Sequence, residues 1–141
     1  MGCVSNQQRL SQSISTAISE YENGEEYYVH PVIIDATVER LISQGLDVDK
    51  AAHKNILIAT SDKKCMKNQS SRSFDKIVAH CPDGYSVLVG QQSKRIVEGK
   101  VTSFFTESNR ESDSSWFVSF QTPNEATFDI CLTAICFKIE D

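Results

Sequence analysis

The spacing of the apolar residues changes at Asn55, and this change limits the folds that the chain can adopt. Before Asn55 the apolar residues recur every three or four positions, and after it they alternate every second position. No helical stretch separates the alternating segments, which argues against strand–helix–strand crossovers. The sequence therefore predicts a mainly β, α+β fold: an antiparallel β-sandwich or barrel over residues 55–141, preceded by a segment of one or two short helices over residues 1–54.

The first predicted helix covers Gln7–Tyr21, and its apolar side chains share one face: Leu10, Ile14, Ala17, Ile18 and Tyr21. Such a face must pack against another surface. It can lie on the chain's own domain. It can also mediate self-association or contact other structural proteins, because residues 10, 14, 17 and 21 follow the spacing of a coiled-coil seam.

The chain between this helix and Asn55 carries one extended and one helical signal. Tyr27–Ile34 is rich in aromatic and β-branched residues but contains Pro31, which predicts an edge segment of a sheet. Asp35 is the predicted N-cap of a second short helix, which Gly45 ends. Residues 46–54 are predicted to form a connector with room for one helical turn.

Six strands are predicted after Asn55, and they cover residues 56–60, 74–81, 85–90, 97–106, 116–121 and 126–138. The first is largely apolar and is predicted to be buried. The polar stretches 61–73 and 107–115 are predicted to be exposed loops. Pro82-Asp83-Gly84 favours a turn after the second strand.

Size and charge argue against several classes of function. The chain has 141 residues, which suits one domain of this architecture, and a formal net charge of −5. No cationic run is longer than a pair such as Lys63-Lys64, so we expect no nucleic-acid partner. We expect no transmembrane segment, because no apolar run approaches roughly 18 residues. Residues 1–20 also lack the apolar core of a secretory signal.

No motif in the sequence nominates a catalytic residue, a metal ligand or a cofactor. His80 is next to Cys81, but neighbours on a strand face opposite sides, so these two cannot form a nucleophile–base pair. Trp116 begins an alternating strand and is predicted to lie in the core rather than to stack on a sugar. The tyrosines at 27, 28 and 85 are better surface candidates. We therefore predict a protein that is not an enzyme, with an unidentified binding site.

Five cysteines leave two interpretations open: Cys3, Cys65, Cys81, Cys131 and Cys136. Two disulfides in the strand-rich half would indicate an oxidising compartment, whereas reduced, buried cysteines would suit the cytosol. Cys131 and Cys136 are an odd number of positions apart on one strand, so their side chains point to opposite faces. Each then needs its own partner, and Cys65 and Cys81 are available.

Three stretches in the second half resemble a small cysteine-bridged β-sandwich module of bacterial secreted and phage tail-associated proteins. The first is Cys81-Pro82-Asp83-Gly84-Tyr85-Ser86-Val87-Leu88-Val89-Gly90, the second is Trp116-Phe117-Val118, and the third is Thr133-Ala134-Ile135-Cys136. They match a pattern C-P-x-G-x-x-V-L-x-G, then W-x-V, then A-x-C. The chain departs from the pattern at Gln91-Gln92, where glycines usually follow.

The resemblance implies a disulfide between Cys81 and Cys136 and a non-catalytic role in display, adhesion or receptor contact. Extending the parity argument, we expect Cys65 to pair with Cys131. The resulting hypothesis is a surface-exposed structural or adhesive module, outside the cell or on a virion as a tail or capsid-associated protein. Its expected partners are copies of itself, other structural proteins, or a glycan or protein receptor.

Two alternative functions remain open. A minor-pilin-like pilus subunit would account for Ser11–Tyr28 followed by His30-Pro31, which resembles the exposed half of a pilin helix and its loop. A small intracellular enzyme or acylated signalling protein with reduced cysteines would account for the start Met1-Gly2-Cys3, which resembles an acylation signal.

Overall fold

The computed structural model describes residues 4–21, 27–67, 74–98, 105–121 and 127–140. Within these ranges three helices come first: α1 (Asn6–Glu20), α2 (Pro31–Ser43) and α3 (Val48–Ala51). Seven strands follow among the described residues: β1 (Ile56–Thr60), β2 (Lys64–Lys67), β3 (Phe74–His80), β4 (Ser86–Glu98), β5 (Phe105–Ser112), β6 (Ser115–Gln121) and β7 (Thr127–Ile139). The predicted mainly β, α+β architecture with helices at the N-terminal end is confirmed.

The chain divides into two compact units. The first, termed the helical unit, contains Met1–Ile58 and Phe137–Asp141, and the second, the sandwich unit, contains Ala59–Cys136. The last strand therefore contributes to both units. Among the described residues, no helix is long and apolar enough to cross a membrane.

Helix α1 begins at a reciprocal hydrogen-bonded cap. Ser5 Oγ accepts from the backbone N–H of Gln8, and the Gln8 side chain accepts from the backbone N–H of Ser5. Farther along, Leu10, Ile14 and Ile18 are buried within the helical unit, where α1 packs on α2 and α3. The apolar face is thus used for packing inside its own unit, and its three most buried members are not available to a second copy.

The expected edge strand at Tyr27–Ile34 is wrong, because α2 already begins at Pro31. His30 is the N-cap: its Nδ1 accepts a hydrogen bond from the Val32 N–H at 3.1 Å. Proline is well suited to the first helical position, where its missing N–H needs no partner. The predicted cap Asp35 lies inside the helix instead. Gly45, with φ of 104°, ends the helix as predicted.

The described strands form two antiparallel sheets. One has the order β1-β7-β2, with β4 also pairing with β7, and the other has the order β3-β6-β5. Within the sandwich unit their inner faces bury a shared core: Ile77, Ala79, Val87, Val118, Phe120, Ile130, Leu132, Ala134 and Cys136. The predicted alternation along β7 is confirmed, since every second residue from Ile130 to Cys136 lies in this core.

Two stretches predicted to be loops contain strands. Within 61–73, Lys64–Lys67 forms β2, which pairs with β7, and 68–73 lie outside the described residues. Within 107–115, the polar sequence up to Ser112 belongs to β5, which pairs along β6 while its side chains stay exposed. Pairing of the backbone stabilises such a strand without apolar side chains, so a polar sequence does not reveal it.

The fourth predicted strand is also divided differently. Residues 97–98 end the long strand β4, Phe105 begins β5, and 99–104 lie outside the described residues. Gln91 and Gln92, which depart from the resembled pattern, continue β4. Strands β5 and β6 are joined by the two-residue turn Asp113-Ser114.

Candidate functional site

Two disulfides lie in the sandwich unit, and they join the cysteines paired in the sequence analysis. Cys81 is bonded to Cys136, and Cys65 to Cys131. Cys3 lies outside the described residues. The four bonded cysteines alternate along the chain, so the two bridges are interlocked.

The two disulfides differ in position and exposure. Cys81 follows β3 and Cys136 lies in β7, so this bridge joins one sheet to the other, and Cys136 is fully buried. Cys65 and Cys131 are direct partners in the β2–β7 register, with Cα atoms 4.1 Å apart. The Cys65 side chain is exposed. The Cys81–Cys136 bridge therefore links the two sheets through the core, and the Cys65–Cys131 bridge links the short strand β2 to β7 near the surface.

The loops closed by these bridges are long. They span 66 and 55 residues of sequence, and closing loops of such length stabilises a folded chain by about 4 kcal/mol each when taken alone. Because the bridges are interlocked, the second one formed closes a shorter path of about 21 residues through the first, which lowers its contribution to about 3 kcal/mol.

The aromatic residues singled out from the sequence occupy different environments. Trp116, predicted to lie in the core, is only partly buried: it packs against the core of the sandwich unit, and its Nε1–H donates to Ser108 Oγ at 2.7 Å. Tyr85 packs against the same core. In the helical unit, Tyr27 lies against Tyr21, with ring centroids 5.8 Å apart. Tyr28 is 77% exposed and contacts the His30 ring edge-on.

The helical unit contains a groove of about 650 Å³ that the sequence analysis did not predict. Helix α1 forms one wall, and the segment from Ala52 into β1 forms the other, with Glu140 beside it. The lining residues are Arg9, Gln12, Ser13, Thr16, Ala17, Glu20, Ala52, Lys54, Asn55, Ile56, Leu57 and Glu140. All of them belong to the helical unit.

The α1 wall is polar and carries opposite charges at its ends. Arg9, Gln12, Ser13, Thr16 and Glu20 follow helical spacing and lie beside the buried stripe of the same helix. Neither Arg9 nor Glu20 forms an ion pair with any residue in the described part of the chain. The wall can therefore offer a cation at one end, an anion at the other and hydrogen-bonding groups between them.

The opposite wall is the first strand, which the sequence analysis predicted to be buried. This prediction is wrong: Leu57 is 37% exposed, and its neighbours in β1 are half-buried. Strand β1 occupies the outer position of the order β1-β7-β2, so one long edge of it is left unpaired by the described strands. An apolar sequence does not reveal this, because it suits an outer strand beside a groove as well as a central strand.

Within the described ranges, no group of three or more His, Cys, Asp or Glu side chains could hold a metal ion. Comparison of the whole chain with protein-family models, curated proteins and solved structures finds no significant match. The comparisons therefore give no support for membership of a specific β-sandwich family.

Proposed function

We propose that this chain is a non-catalytic binding module of an oxidising compartment, exposed on the surface of a secreted assembly or a virion, where it holds a partner protein. The observation that carries the proposal is the pair of interlocked disulfides in the sandwich unit. Disulfides persist outside the reducing cytosol, and every cysteine among the described residues is bonded.

The placement of the bridges supports a structural role for them. The Cys81–Cys136 bridge joins the two sheets through a core position, and a reduced pair would leave the sandwich without that link. Each bridge contributes about 3–4 kcal/mol to folding, which is a large part of the free energy of unfolding of a typical domain, about 5–15 kcal/mol. We therefore expect the bridged form to be the working form of the protein.

The helical unit supplies the surfaces for a partner. Besides the groove, it exposes large apolar side chains at Val4, Tyr28 and Val32. Exposed aromatic and aliphatic groups beside polar ones suit contact with another protein. The buried face of α1 is not part of this proposal, because its apolar side chains already pack within the unit. The choice of a virion or secreted assembly rests on the sequence resemblance.

An antibody raised against the purified, oxidised chain tests the location. It is applied to intact source cells or particles and to the same material opened with detergent. We expect equal labelling of both, because the epitopes are exposed. As a control, an antibody against a known internal protein of the same source should label only the opened material.

Labelling that requires opening would contradict the proposal. So would thiol-trapping of the protein in the source material, by rapid acidification and alkylation, that finds Cys65, Cys81, Cys131 and Cys136 reduced. Reduced thiols would favour the small intracellular enzyme or acylated signalling protein instead. If removal of pili from the source cells also removes the surface labelling, the result would favour the pilus subunit instead.

A further inference from the structure

Strand β1, which lines the groove opposite α1, has one edge that no described strand pairs with, and such an edge favours an extended polypeptide. We propose that the groove binds an extended segment of a partner protein, which adds as a strand to the open edge of β1. This inference rests on the proposed function and specifies how the partner is held.

The direction of the β1 backbone groups follows from two hydrogen bonds to β7. The Asn55 carbonyl accepts from the Glu140 N–H at 2.9 Å, and the Ser61 N–H donates to the Ala134 carbonyl at 2.9 Å. In an antiparallel pair, alternate residues direct their N–H and C=O toward the partner strand. Odd-numbered residues of β1 therefore direct their backbone N–H and C=O groups toward β7, and Ile56 and Ile58 direct theirs away from it.

Native proteins usually protect such an edge with charge, proline or a covering element. Strand β1, Ile56-Leu57-Ile58-Ala59-Thr60, has no charged residue and no proline. Ile56 and Leu57 line the groove, and Leu57 is 37% exposed. Main-chain groups on an open edge recognise an extended backbone, and the neighbouring side chains select its sequence.

The length of the helix wall matches a short strand. Arg9 and Glu20 are separated by about 16 Å along α1 at 1.5 Å per residue, and a strand of about five residues has the same length. We therefore expect a segment with alternating apolar residues, one of them over Leu57. An acidic side chain should lie near Arg9, and a basic one near Glu20.

The probe is a library of linear seven-residue peptides displayed on phage and selected on the immobilised, oxidised full-length chain. The best peptide is then synthesised and its affinity measured by titration calorimetry. Arg9→Glu should weaken binding at least tenfold. The matched control Lys50→Glu, the same reversal of charge at an exposed position of α3 outside the groove, should change the affinity less than twofold.

Two backbone readouts distinguish strand addition from other modes of binding. Methylation of single peptide nitrogens should weaken binding at least tenfold at alternate positions and little at those between them. The backbone amide hydrogen of Leu57 should exchange slowly in the free chain, because this N–H points toward β7 and is paired with it. The amides of Ile56 and Ile58 should exchange fast in the free chain and at least tenfold more slowly with peptide.

Several results would overturn the inference: no selected peptide that binds, a methylation pattern without alternation, or unchanged exchange at Ile56 and Ile58. Protection of these amides that rises with protein concentration alone would identify a second copy of the chain as the occupant. Surface labelling without strand addition would refute this inference and leave the proposed function standing. Strand addition of a peptide to a protein that is found only inside cells would refute the proposed function and leave this inference standing.

Discussion

Substitution of Gly90 by alanine tests the packing between β4 and β6 in the sandwich unit. A Cβ atom built on Gly90 would lie 2.5 Å from Nε1 and 2.7 Å from Cγ of Trp116, and closer still to Cδ1. Atoms do not approach so closely, so the indole would have to move. Its Nε1–H also donates to Ser108 Oγ at 2.7 Å, and that hydrogen bond would be strained or lost.

The expected effect follows from these two contacts. Overpacking costs about 1–3 kcal/mol, and the weakened hydrogen bond adds about 1 kcal/mol, so Gly90→Ala should lower the free energy of unfolding by about 2–4 kcal/mol. Strand propensity alone predicts the opposite sign, because alanine is normally better than glycine inside a strand by roughly 0.5–1 kcal/mol. The sign of the change therefore distinguishes the two explanations.

Urea unfolding followed by far-ultraviolet circular dichroism measures the change in the oxidised protein. The control is the same substitution in a Trp116→Ala background, where the clash is absent and the cost of Gly90→Ala should fall below about 0.5 kcal/mol. Gly90→Ala that leaves stability unchanged or raises it, with Trp116 present, would refute the packing described here.

Three further effects are expected. Ser5→Ala removes the cap of α1 and should cost about 1 kcal/mol, seen as a lower urea midpoint; no change would show that the cap bonds do not contribute. Gly45→Ala should cost about 1–2 kcal/mol in the same assay although its Cβ would meet no atom within 4 Å, because φ is 104°; a neutral result would contradict that backbone angle. During titration with a thiol reductant, mass mapping should find the exposed bridge at Cys65 reduced before the buried one at Cys136, and the reverse order would contradict their exposures.

The sequence predicts the fold class well where one face of an element is buried. The stripe Leu10, Ile14 and Ile18 in α1 and the alternation from Ile130 to Cys136 in β7 both match the buried positions. In each case side-chain burial sets the period, so the period can be read directly from the chain.

Prediction from the sequence is wrong where backbone hydrogen bonding, rather than side-chain burial, determines the secondary structure. Strand β5 is polar and its side chains stay exposed, yet it forms because its backbone pairs with the edge of β6. Similarly, Pro31 predicts an edge segment of a sheet, whereas with His30 as the N-cap it begins α2. Strand β5 depends on backbone pairing with β6 rather than on its own side chains, and Pro31 suits an edge strand as well as the first turn of a helix.

The groove was beyond sequence reasoning for a related reason. Its α1 wall consists of the residues left over from the buried stripe, which are indistinguishable from an ordinary solvated helix face. Its strand wall is apolar, which indicated a buried strand. Only the outer position of β1 in its sheet turns these two ordinary surfaces into a candidate site.

Disulfide mapping of the protein purified from its source under non-reducing conditions tests whether the two interlocked bridges form in the native protein. After alkylation of free thiols and proteolysis, we expect linked peptides joining Cys65 to Cys131 and Cys81 to Cys136, with an intact mass about 4 Da below that of the fully reduced chain. Free thiols at these four positions, or linkages between other pairs, would contradict this expectation.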